Sequence, residues 1–167
     1  PWKCFVSSML LLDSHDTARF RNVVGRDQAR HLVGMGILLT YPGVPSIFAG
    51  DEIGLEGAWG EDSRRTIDWT RSSWNMDLLK EVKKLVKIRR TSHALSEGGL
   101  RWVLQEDDSI GFLRESSKER LLIIAARSKS RVKLGNLVEK SEVLYGPALR
   151  GDKFISNGPG IGIYRLR

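Results

Sequence analysis

Two short, nearly continuous apolar runs place the strongest constraint on this chain. The first extends from Val6 to Leu12 and ends Met9-Leu10-Leu11-Leu12; the second extends from Val44 to Ala49 and is closed by Gly50. Runs of this length without polar alternation are expected of strands covered on both faces, as in a parallel sheet flanked by helices. Between them a helix is predicted from about Asp27, an acidic residue suited to a first turn. Ala29, Leu32, Val33, Gly36, Ile37 and Leu38 supply its apolar face, and Tyr41-Pro42-Gly43 stops it. Strand, helix and strand form one βαβ unit with parallel strands. Two strands cannot bury both faces of a sheet. The first half is therefore expected to belong to a larger α/β domain, with Val6–Leu12 and Val44–Phe48 presenting apolar surface.

Residues 51–75 read as a long polar loop with Gly54, Gly57 and Gly60 and the tryptophans Trp59, Trp69 and Trp74. Asn75 suits the N-cap of a second helix, with Asp77 in its first turn. Leu78, Leu79, Val82, Leu85, Val86 and Arg89 keep the spacing of a helix laid on a core, and Gly98-Gly99 ends the region. From Leu100 the period becomes two. Strands are predicted at Leu100–Leu104, Ile110–Arg114, Arg120–Ala126, Arg131–Leu134, Glu142–Tyr145, Lys153–Ile155 and Gly162–Leu166, separated by turn residues such as Asp107-Asp108-Ser109 and Asn157-Gly158-Pro159-Gly160. This is the pattern of an antiparallel sandwich or small barrel.

With 41% hydrophobic and 28% charged residues, the chain has the balance of a globular protein. No apolar run approaches the roughly 20 residues that span a bilayer, so no membrane partner is expected. The start, Pro1-Trp2-Lys3-Cys4, has neither an initiator Met nor a signal-peptide pattern and reads as a cut end; a cytoplasmic location is the expectation. The single cysteine excludes an internal disulfide and a multi-cysteine metal site, and Cys4 is expected to be a small buried side chain near a strand. Net charge is +7, with the basic excess densest at Lys80, Lys83, Lys84, Lys87, Arg89 and Arg90. No aromatics interleave with these charges as a base-stacking surface requires. They are read as the solvated face of an amphipathic helix, and no nucleic-acid partner is expected.

Working residues in parallel α/β folds sit beyond the C-terminal ends of strands. Two polar clusters hold those places: Asp13-Ser14-His15-Asp16-Thr17 after the first run and Gly50-Asp51-Glu52 after the second. They suit a cleft lined by acids, or equally helix capping and ion pairing with Arg19, Arg21, Arg64 and Arg65. Glycosidases need two carboxylates, about 5–5.5 Å apart for retention or about 6.5–9.5 Å for inversion. On chemistry alone Asp16 and Glu52 would be that pair. A triad of His15 and Asp16 with a serine is discounted, because residues adjacent in sequence rarely point at each other.

The segment Leu11-Leu12-Asp13-Ser14-His15-Asp16-Thr17-Ala18-Arg19 resembles the last signature motif of the alpha-amylase family (glycoside hydrolase family 13), in the form typical of its neopullulanase, cyclomaltodextrinase and maltogenic amylase branch. Pro42 to Gly54 is similar to that family's eighth barrel strand and loop, and Glu61 to Trp69 to the Arg-Arg-containing segment that follows. The resemblance implies an α/β plus all-β architecture. Residues 1–97 would form the last two strands and helices of a catalytic (β/α)8 barrel, and residues 98–167 a C-terminal antiparallel β-sandwich.

By the same resemblance, Asp16 is the carboxylate that stabilises the transition state and His15 a sugar-binding neighbour. Asp51 and Glu52 shape the floor of the site, Arg19 is a structural ion-pair partner, and the tryptophans could stack on glucose rings but are read first as buried loop anchors. This removes the Asp16–Glu52 pairing, because the family's nucleophile and acid/base lie on earlier strands that no segment here matches. Asp13 stands where many relatives have Gly. The implied function is part of a retaining hydrolase of α-glucosidic bonds in maltodextrin-like sugars, inactive by itself, with an α-glucan oligosaccharide and the N-terminal part of the same enzyme as partners. No cofactor or metal is expected from these residues, calcium being bound in relatives by regions this chain lacks. The competing expectation is a non-catalytic carbohydrate-binding or interaction module.

Overall fold

The computed structural model describes residues 2–167; Pro1, at the head of the N-terminal reading, lies outside the described residues. Helix α1 (Trp2–Val6) takes Val6, the first residue of the expected strand, and strand β1 is reduced to Met9–Leu10. It pairs in parallel with β2 (Val44–Pro45), so the predicted topology holds while the length does not. Val44 N–H donates to the Ser8 carbonyl at 2.9 Å and Ser46 N–H to that of Leu10 at 2.7 Å. Pro45 has no N–H to contribute, and neither strand has a second neighbour, so nothing extends the ladder. Met9, Leu11 and Val44 are exposed, as the unfinished sheet requires. Cys4 is exposed on α1, which corrects its expected burial: the chain before β1 is a surface helix, not a strand.

After the short helix α2 (Phe20–Val23) comes α3 (Gln28–Thr40). Asp27 is its N-cap, with a carboxylate oxygen accepting from Arg30 N–H at 3.1 Å. Its buried positions are His31, Met35, Gly36, Leu38, Leu39 and Thr40, whereas Ala29 is exposed. The buried face is wider than expected because α3 is covered from several sides, packing on α2, on the next long helix and on the antiparallel sheet. Gly36 lets the helix approach that sheet, since a Cβ there would come within 2.5 Å of Ile161 Cδ1.

Residues 51–75 are less irregular than a polar loop. They hold a 3-10 turn at Asp51–Ile53, the short helix α4 (Gly60–Ser63) and a second 3-10 turn at Arg71–Ser73. Trp59 and Trp69 are exposed, which overturns their reading as buried anchors; Trp74 is half-buried, pairs edge-on with Trp69 and donates its indole N–H to the Asp68 carbonyl at 2.6 Å. Helix α5 (Met76–Thr91) is capped by Asn75, whose side-chain oxygen accepts from Leu78 N–H at 2.9 Å. It buries Leu78, Leu79, Val82 and Leu85. Lys80, Lys83, Lys84, Lys87 and Arg90 are exposed on it. Arg89 is not part of that solvated face: it is half-buried and donates to the carbonyls of Leu39, Tyr41 and Gly43, closing the end of α3. Helix α6 (His93–Glu97) follows, capped by Ser92.

The second half holds β3 (Gly99–Gln105), β4 (Ser109–Glu115), β5 (Arg120–Ala126), β6 (Ser130–Lys133), β7 (Ser141–Tyr145), β8 (Lys153–Ser156) and β9 (Gly160–Leu166), each within two residues of its predicted limits. All pair antiparallel, in a five-stranded sheet of order β3-β4-β5-β9-β7 and a separate β6–β8 pair. Strand β5 shows how the layers stack. Leu121, Ile123 and Ala125 face the helices and share a core with Met35, Leu38, Leu78, Leu85 and Leu95. Leu122, Ile124 and Ala126 face the other way, toward Val132 of β6 and Phe154 of β8. Arg114 of β4 pins the layers together: almost fully buried, its guanidinium donates to the carbonyls of Thr40, Leu95, Gly98 and Gly99. Burial lowers its pKa to about 10, with Arg89 adding to the effect.

Candidate functional site

The turn after β1 is built from its own polar side chains. Thr17 N–H donates to the Ser14 carbonyl at 3.2 Å, Ser14 N–H to Thr17 Oγ1 at 3.1 Å, and Asp16 N–H to Ser14 Oγ at 3.2 Å. These bonds fold the chain so tightly that neighbouring side chains converge. His15 Nε2 stands 3.3 Å from Asp16 Oδ1, contrary to the expectation that adjacent residues do not face each other. Arg64, just past α4, reaches across to the same carboxylate, with Nη2 3.1 Å from Asp16 Oδ1 and Nε donating to the His15 carbonyl at 3.0 Å. The side chains of His15 and Asp16 remain 64% and 67% exposed. The turn therefore presents a carboxylate and an imidazole to solvent, supported from one side by a guanidinium.

Beneath the turn lies a sealed polar layer. Arg19 and Asp51 are each 2% exposed, and Arg19 Nη1 donates to Asp51 Oδ1 at 3.1 Å. Arg19 also donates to the carbonyls of Ala49 at 2.9 Å and Ser63 at 3.0 Å, and its guanidinium carbon sits 3.6 Å from the Phe48 ring centre. Ser63 Oγ in turn lies 3.4 Å from the His15 carbonyl oxygen, so the layer reaches the backbone of the turn. Asp13 accepts from Phe20 N–H at 2.5 Å and hydrogen-bonds Asp51.

Asp51 is buried with a second acid, Asp13, beside it. Burial, and then the hydrogen bond and charge of Asp13, push the Asp51 carboxyl up to about 8, against the pull of Arg19. His31 of α3 packs edge-on against Phe20; burial first, and Arg21 second, lower its pKa to about 4, so it is a neutral imidazole. Both its ring nitrogens, and Asp13 Oδ1, are buried without a hydrogen-bond partner among the described residues.

The structure thus brings His15 and Asp16 together with Arg64, and Arg19 with Asp51, in two stacked levels. Glu52 is elsewhere: its Oε2 accepts from Gly50 N–H at 2.9 Å, and the residue lines an apolar groove of about 930 Å³ along α5 with Ile47, Leu79, Val82 and Val86. The contribution of Asp13 and His31 was not anticipated. Asp13 directly after an apolar run, and His31 one helical turn before Met35, were the available signals. Among the described residues no group of three or more His, Cys, Asp or Glu is placed to hold a metal ion, and no helix is long and apolar enough to cross a membrane.

The chain belongs to the alpha-amylase family: residues 3–112 match its catalytic domain. Among its relatives, the maltogenic alpha-amylase of Bacillus acidopullulyticus is 34% identical over 126 residues, covering 73% of this chain and 22% of that protein. Among solved structures, the debranching enzyme of Nostoc punctiforme superimposes with a TM-score of 0.83 at 28% identity, over 99% of this chain and 37% of the other. The cyclic alpha-maltosyl-(1→6)-maltose hydrolase of Arthrobacter globiformis gives 0.81 at 26% identity, over 95% and 35%. The chain spans about a fifth of the length of the first curated relatives it matches.

Proposed function

We propose that this chain is part of a retaining hydrolase of α-glucosidic bonds in maltodextrin-like sugars, and that Asp16 stabilises the transition state while His15 binds the same sugar. The observation that carries the reading is the solvent-open turn on which His15, Asp16 and Arg64 converge. A fixed carboxylate interacts more strongly with an oxocarbenium-like ring than with the neutral ground state, and this difference is what accelerates the reaction. Arg64 holds the carboxylate in place, and Asp51, through Arg19 and Ser63, steadies the backbone below it. The names of the relatives, hydrolases of maltose-type and branched sugars, agree with an α-glucan substrate.

In this reading residues 1–97 are the last two strands and helices of a (β/α)8 barrel, and residues 98–167 are a C-terminal β-sandwich. Further strands of the same enzyme would cover the exposed edges of β1 and β2 and supply the nucleophile and the acid/base. In the full-length enzyme Asp16→Asn is expected to keep substrate binding while turnover on maltotriose falls at least about 100-fold, the pattern of a lost transition-state contact. Near-normal turnover would refute the role. The isolated chain is expected to hydrolyse neither maltotriose nor pullulan.

A further inference from the structure

An exposed tryptophan beside this turn has no structural work to explain it. Trp59 is 58% exposed, although a large indole on the surface is ordinarily paired or partly covered. Trp69, although 75% exposed, is paired edge-on with Trp74, whose indole is hydrogen-bonded to the Asp68 carbonyl. Trp59 instead stands at the N-cap position of α4. Its carbonyl accepts from Ser63 N–H at 2.8 Å, opening α4. The next residue, Gly60, lies so close to the turn that a Cβ there would stand 3.3 Å from the Asp16 carbonyl oxygen. Four residues further on, Arg64 grips His15 and Asp16. The 59–64 segment thus comes close to the turn at Gly60 and is bonded to it at Arg64, with the exposed Trp59 at its head.

We infer that Trp59 is a stacking platform for a pyranose ring of the bound α-glucan, next to the ring held by Asp16. The inference rests on the reading of the turn given above and adds to it a residue, a contact and a preference. Sugar rings carry an apolar C–H face, and a rigid indole offers matching area with only two torsions to freeze and an N–H for a hydroxyl. A ring held away from the scissile bond is bound alike in ground and transition states. Losing the platform therefore weakens binding and leaves the chemical step alone.

The test is steady-state kinetics of the full-length enzyme on maltotriose, with Trp59→Ala, Trp59→Phe, Trp69→Ala and Asp16→Asn compared side by side. Trp59→Ala is expected to raise KM roughly tenfold, equivalent to about 1.4 kcal/mol, with kcat within about twofold of the parent. Trp59→Phe should restore most of the loss, and Trp69→Ala should leave both constants unchanged. An unchanged KM for Trp59→Ala, a fall confined to kcat, or no rescue by Phe would overturn the platform while leaving the role of Asp16 intact. Retained turnover in Asp16→Asn would remove the underlying reading, and the platform with it.

Discussion

Asp51 illustrates how much one buried side chain governs. With Asp13 beside it and Arg19 donating to it, Asp51 holds a proton at neutral pH. Its carboxyl is raised from the ordinary 3.8 to about 8, so the folded state keeps a proton that the unfolded chain has already lost. Its contribution to stability is whole below the unfolded value and is lost as pH climbs through the folded one. His31 works in the opposite sense. Its folded value lies near 4 against 6.5 unfolded, so stability rises with pH across that window. The two effects offset each other in mildly acidic solution, and above pH 6.5 only the Asp51 slope remains. Urea midpoints are expected to fall between pH 6.5 and 8 in the parent chain and to stay level in Asp51→Asn; equal slopes would show that the proton is not held there.

At the scale of elements, the joint between α3 and the antiparallel sheet depends on Arg114. Its guanidinium serves four carbonyls, three of them at the ends of α3 and α6 or just beyond α6, where a helix has no donors of its own. Arg114→Met would keep much of the volume and strip the donors, leaving buried acceptors unpaired. We expect it to lower unfolding stability by about 2–4 kcal/mol in urea titrations, and Arg114→Lys to recover only part of that, because a single ammonium cannot span the same carbonyls. The sequence shows why such a role is hard to foresee. Isolated Arg114 sits in a strand of otherwise apolar and small residues, and strand periodicity places it without saying that its partners lie on α3 and α6. Helices α3 and α5 and all seven antiparallel strands were legible, because period and capping residues act locally. The first apolar run was misjudged at its start, where Trp2–Val6 folds as a helix. Trp2 packs on Phe5, and Phe5 reaches an aromatic cluster of Tyr41, Trp102 and Phe112; that long-range contact leaves no periodic trace.

For the whole molecule, the shared core carries a clear expectation. Met35 and Leu39 of α3, Leu78 and Leu85 of α5, and Leu121 and Ile123 of β5 belong to one buried cluster, so the α/β part and the β layer do not have separate interiors. Both should unfold together, with tryptophan fluorescence and far-ultraviolet circular dichroism giving one coincident transition in denaturant. Two separated transitions would mean that the halves are independent. The site was legible to the same degree as the fold. His15 and Asp16 stand out as polar residues after an apolar strand, and the family resemblance told them apart from Glu52, which chemistry alone had paired with Asp16. The level beneath them was not legible, because Arg19, Asp51 and Ser63 meet from segments far apart in the chain.

That concealed level sets where alkaline conditions first take effect. When Asp51 loses its proton, a negative charge appears in a dry interior that is linked through Arg19 and Ser63 to the backbone of His15. The strain would surface as a loosened turn rather than as a change in any group a sugar touches. The upper pH limit of the fold is thereby written into its foundations, out of reach of substitutions made only among residues of the exposed turn.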